Sequence, residues 1–174
     1  MANPSFSRLA AVTTSNNERK VLEAFLDHYR DVIASTLDDL DEQQARTRLV
    51  PSLTTPIGLV SHCTADERSW FQYVLAGRPW SEIESPRSSQ DASWHVPDDT
   101  HIPDVIAAYN ATCAESREIA ARFALDDEIA YDDHRVTLRW IYVHMIEELA
   151  RHAGHADILR EQLKTQETPR PRPT

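Results

Sequence analysis

The chain has 174 residues, 41% of them apolar, and a formal net charge of −10. That length suits one domain with a substantial core, while the acidic balance argues against nucleic acid and anionic membranes, which both call for a basic surface. Only three glycines occur, Gly58, Gly77 and Gly154, so no phosphate-cradling loop can be assembled, and P-loop and dinucleotide fingerprints are missing.

Residues 1–14 show neither a basic opening with an apolar core nor an Arg-rich amphipathic pattern, and no targeting signal is read there. The first helical pattern covers residues 17–40, where Leu22, Phe25, Tyr29, Val32, Ile33, Thr36 and Leu40 recur at helical steps. Asn16 or Asn17 can cap its start. The second opens at Thr54-Thr55-Pro56, a threonine cap followed by proline at the first helical position. It runs to Ala76, where Gly77 and Pro79 stop it. Leu59, Val60, Cys63, Trp70, Phe71, Val74 and Leu75 form its inner side.

Residues 78–100 carry Pro79, Pro86, Pro97 and two tryptophans among many serines and aspartates. Helix-to-helix links usually span about 2–8 residues. This longer one is expected to cross the molecule and let the second and third helices run parallel. The third helix begins near Thr100 or Ile102, with Val105, Ile106, Tyr109, Cys113, Ser116, Ala120 and Phe123 inward. The acidic stretch 125–135 reads as a plain link, and no strand run or internal repeat is found. The fourth helix, residues 137–164, turns Leu138, Ile141, Met145, Leu149, Ala156, Leu159 and Leu163 inward. The proline-rich tail 165–174 is expected to be disordered.

No run of about 18 apolar residues exists to span a membrane. Cys63 and Cys113 are too few for a disulfide framework and read as buried free thiols in a reducing cytosol. The expected architecture is a single all-α domain: a four-helix bundle, up-down-down-up, folded over residues 17–164.

The fourth helix carries the chemistry. His144, Glu148 and His152 are four residues apart and share one helix face, with His155 one turn further on. Apolar neighbours place Glu148 at the edge of the core, where a carboxylate is costly unless paired or bound to a cation. A metal would satisfy it together with two imidazoles. Glu–His pairs at this spacing are also common as surface ion pairs, so a further ligand is needed from elsewhere. His62, near the buried side of the second helix, is the best placed, although a histidine there, taken alone, is more often a core residue than a ligand. His28, His95, His101 and His134 read as solvated polar residues, with His134 or His95 as the ones that could line a mouth.

The segments GLVSHCTADERSWF, residues 58–71, and TLRWIYVHMIEELARHAGHADILRE, residues 137–161, together resemble the DinB-like superfamily. The resemblance spans residues 17–164 and looks closest to a branch of unknown function. It implies an up-down-down-up four-helix bundle with a metal held by one histidine of the second helix and two residues four apart on the fourth. Carried onto this chain, those are His62, Glu148 and His152. Most relatives have histidine at the position of Glu148; the His, Glu and His set is similar to that of the mycothiol-dependent maleylpyruvate isomerases. His144 and His155 compete as ligands or stand beside the site, with Trp70, Phe71, Tyr109 and Trp140 as pocket candidates.

The resemblance implies one divalent metal, zinc first and nickel or iron behind it, and a low-molecular-weight thiol such as mycothiol or bacillithiol. The thiolate would be stabilised at the metal and add to a small electrophile, which makes the chain an S-transferase or isomerase. The alternatives are a metal-dependent hydrolase, with His144 or His155 moving protons, and a non-catalytic metal-binding or stress-related bundle. A cytoplasmic location fits, as does a homodimer through an exposed helix face.

Overall fold

The computed structural model describes residues 9–84 and 91–167. Within them the chain is mostly helical, with one two-stranded sheet. Parts of three sequence expectations, residues 1–8 of the N-terminal segment, 85–90 of the long connection and 168–174 of the tail, lie outside the described residues; of the tail expected to be disordered, residues 165–167 instead continue the last helix.

Helix α1 spans Glu18–Ala34, with the Asn17 side chain accepting from the Lys20 N–H, as an asparagine cap does. It passes into a 3-10 turn, Ser35–Leu37. There the Arg160 guanidinium donates to the carbonyls of Thr36 and Asp38 at 2.7 and 2.6 Å. These groups need an outside donor because a helix end leaves its last carbonyls unpaired. A short helix α2, Glu42–Arg46, follows under an Asp41/Gln44 capping box. Its Arg46 donates to the carbonyls of Val96, Pro97 and Thr100, which ties the long connection down.

Helix α3, Pro56–Glu67, starts as the sequence indicates: Thr55 caps it and Pro56 opens it. It is buried on most sides, then continues as eight residues of π-helix, Arg68–Leu75, with Gly77 in the left-handed region at φ 66°. Gly58 is required by a close approach. A Cβ there would lie 2.7 Å from the Trp94 carbonyl oxygen and 2.9 Å from Thr55 Oγ1. The turn Ala92–Trp94 therefore settles directly on α3.

Helix α4 spans Ile102–Ala120, and its C-terminal carbonyl Ala120 O accepts from Arg19 at 2.9 Å. The link after it is not plain. Strands β1, Glu128–Tyr131, and β2, His134–Thr137, form an antiparallel hairpin in the register Ile129↔Val136 and Tyr131↔His134. Asp132, at φ 48°, makes the tight turn. This corrects the expectation of no strand. Strands of four residues are too short for alternation to stand out in a sequence, and this pair gains stability by laying Val136, Ile129 and Tyr131 on the core. Helix α5, Leu138–Glu167, follows directly.

Helix α1 packs on α5, and α3 packs on α4 and α5. The core between them holds Leu26, Ile33, Leu59, Phe71, Tyr109, Ile141, Met145 and Leu149, all fully buried. Buried among these is an ion pair. Arg30 donates to both oxygens of Glu67 at 2.7 and 2.8 Å, and its guanidinium lies over the Phe71 ring. Such bidentate geometry offsets the desolvation of both charges. No helix of the described residues is long and apolar enough to cross a membrane.

Candidate metal centre

Helices α3 and α5 bring His62 and His152 together, with ring centroids 4.9 Å apart at 80°. Asp66 joins them: one ligand atom each from His62, Asp66 and His152 lie within 4.8 Å of one another. His62 Nε2 is 3.3 Å from Asp66 Oδ2. Its Nδ1 is 2.9 Å from Ser93 Oγ, and the Trp94 ring stacks on it at 4.1 Å and 15°. The long connection thus fixes the orientation of His62, and it can sit there because Gly58 offers no side chain.

Glu148 stands beside the cluster. Its Oε2 is 3.6 Å from His152 Nε2, and Arg151 donates to both of its oxygens at 3.0 Å. Of the expected trio, His62 and His152 converge and Glu148 stands against His152, while the carboxylate that converges with both imidazoles is Asp66. Its signal was present in the sequence. Asp66 follows His62 by four residues, the same spacing that marks Glu148 and His152, but within Ala65-Asp66-Glu67-Arg68 it reads as part of a solvated face.

The electrostatics favour a cation. Burial pushes His62 down to about 4, with His152 adding to the effect. Burial also lowers His152, against the pull of Glu148. Both imidazoles are thereby held neutral, the form that ligates metal. Burial, then Glu148 and Glu67, raise Asp66 to about 7 against the smaller opposing pull of Arg151; burial and the neighbouring carboxylates outweigh that guanidinium. His152 Nδ1 is buried and has no hydrogen-bond partner among the described residues. Neutral nitrogens, carboxylate oxygens and an orphaned buried atom together fit a divalent cation.

The other singled-out residues take different places. His144 stacks on Trp140 with ring centroids 5.0 Å apart at 8°, and meets Trp70 edge-on at 4.5 Å. Tyr131 of the hairpin joins Trp70 at 5.1 Å, a member the sequence reading did not include. In a π turn each N–H reaches back five residues instead of four, so side chains advance less per residue. Trp70, four residues after Asp66, faces α5 through its ring contacts with Trp140 and His144. His155 is exposed, its ring 5.7 Å from that of His152. Tyr109 and Phe71 are fully buried in the core. Cys63 is fully buried as well, and burial pushes its thiol far up, so it is no nucleophile.

Fold and site together define a class: a mostly helical protein with a histidine–carboxylate cluster between two helices, the arrangement in which helical proteins build metal centres. The sequence matches the mycothiol-S-transferase family over residues 21–165, and the chain belongs to that family, within the DinB-like superfamily. No curated protein matches the sequence.

Proposed function

We propose that the protein is a divalent-metal-dependent S-transferase that joins a low-molecular-weight thiol, mycothiol or a close analogue, to a small electrophile. The convergence of His62, Asp66 and His152 within 4.8 Å carries this reading. The family's name supplies the thiol.

In this reading His62, Asp66, Glu148 and His152 hold the ion. A bound divalent cation supplies stabilisation of the thiolate, the nucleophilic form of the thiol. The protein's own groups prepare the place. Ser93 and Trp94 orient His62 so that Nε2 faces the cluster. Burial keeps both imidazoles unprotonated, and Arg151 holds Glu148 beside His152. Overall, a sulfur–carbon bond forms as the bond from carbon to the leaving group breaks. The leaving group departs with the electron pair, and the thiol proton passes to solvent.

The same reading takes residues 17–164 as one cytoplasmic domain, a four-helix bundle running up-down-down-up. Cross-helix pairs support this order. Glu18–Arg139 and Thr36–Arg160 match early with early and late with late, so α1 and α5 point the same way. His62–His152 and Trp70–His144 oppose α3 to α5. Arg19–Ala120 and Asp27–Arg117 oppose α1 to α4.

Elemental analysis of the purified protein beside His152→Ala, Asp66→Ala and Glu148→Ala tests the centre. Stoichiometric metal in the wild type and losses in all three variants are expected. Conjugation of the thiol to a fluorogenic electrophile should exceed the spontaneous rate only with metal present. Equal metal in all four proteins, or no conjugation above background, overturns the reading.

A further inference from the structure

Alternate residues of the segment before α3 face two different cavities. Leu53 and Thr55 line one of about 310 Å³, and Ser52 and Thr54 line another of about 280 Å³. The larger cavity has a mixed wall, in which Arg46, Arg48, His95 and Asp98 face apolar side chains, and it touches the histidine pair through Trp94, which stacks on His62. The smaller is completed by Val50, His155, Ile158 and Leu159, and no Lys, Arg, Asp or Glu lines it. It reaches the pair from the other side, through the edge-on contact of His155 with His152.

From this asymmetry we infer that the 280 Å³ cavity is a binding site for an uncharged, apolar small molecule, the electrophile of the transfer reaction. The word electrophile rests on the function proposed above; the apolar site does not. A charged ligand entering here would lose water against a mostly apolar wall and meet no Lys, Arg, Asp or Glu, its polar contacts being the hydroxyls of Ser52 and Thr54 and the imidazole of His155, which is unfavourable. An alkyl chain would lie against Val50, Ile158 and Leu159, where each buried methylene strengthens binding about fourfold. The volume suits a molecule smaller than a drug, because pockets for drug-sized ligands measure roughly 300–1,000 Å³.

Titration of the full chain, methyl-labelled at Ile, Leu and Val, with 1-hexanol and with hexanoate tests the site by NMR. Saturable shifts of the Ile158, Leu159 and Val50 methyl signals are expected with hexanol and none with hexanoate. Ile158 is 54% exposed, so Ile158→Ser should keep the fold while weakening hexanol binding at least fourfold. Unsaturable shifts, or an equal response to hexanoate, overturn the site.

Turnover separates this inference from the reading beneath it. With mycothiol and 1-iodoalkanes from ethyl to hexyl, the sulfur–carbon bond forms as the carbon–iodine bond breaks. Iodide leaves with the electron pair, and the thiol proton goes to buffer. In the wild type kcat/KM should climb with chain length, and in Ile158→Ser it should flatten. Hexanol binding with no conjugation of any member defeats the transfer reading alone. Conjugation that ignores chain length in the wild type defeats the cavity assignment alone.

Discussion

Ser93 holds one nitrogen of His62 so that the other faces the cluster, and partners of this kind set both the orientation and the basicity of a ligating imidazole. Ser93→Ala should lower metal affinity about 10- to 100-fold without unfolding the protein, measured by competition with a chromophoric chelator. Asp66 gives a test that depends on pH. A carboxyl whose pKa in the fold, about 7, lies above its ordinary 3.8 favours the fold at low pH. It loses that contribution as pH rises through about 7. His62, lowered to about 4, is neutral in both folded and unfolded chains at pH 8 and does not offset the loss there. Asp66→Asn should therefore stabilise the chelated protein by roughly 2–4 kcal/mol at pH 8 and far less at pH 4, read by urea unfolding, while it weakens metal binding. No gain at pH 8 would show that Asp66 is not crowded.

The elements depend on close approaches that single side chains permit or forbid. Gly58 lets the turn Ala92–Trp94 lie on α3, and that turn delivers both Ser93 and Trp94 to His62. In Gly58→Ala the added methyl meets backbone as well as a side chain, so the turn must move. A loss of about 1–3 kcal/mol is expected, together with weaker metal binding, and thermal unfolding beside metal titration would register both. The helices themselves were legible because periodic apolar positions, Asn17, and the Thr55–Pro56 start act locally. The hairpin was not, because four-residue strands acquire meaning only from the core they cover.

Across the whole molecule, the buried Arg30–Glu67 pair joins α1 to α3 next to the cavity-lining Phe71. Removing the Glu67 charge takes away the bidentate partner of the buried Arg30 and leaves it Asp27, 3.0 Å from its Nη1, so Glu67→Gln should cost up to about 3–5 kcal/mol in urea unfolding. Replacing both members, as in Arg30→Met with Glu67→Leu, should recover much of that loss. If the single variant cost no more than the double, the pair would not be the link between these helices.

What the sequence determined by itself was whatever depends on neighbours along the chain: helical periodicity, caps, the acidic surface charge, and the four-residue spacing that put Glu148 and His152 on one face. For His62 the sequence offered a place near the buried side of its helix, and family resemblance strengthened the match, since nothing local says which residues of α3 confront α5. The tertiary structure alone decided that Asp66 converges with the two imidazoles, that Ser93 and Trp94 close over His62, and that one cavity is walled by Trp94, which stacks on His62, and another by His155, which meets His152. Spacing along one helix fixes the face a residue shares, whereas distance to another helix depends on packing, on the π turn of residues 68–75 and on the one glycine that lets a distant loop come near.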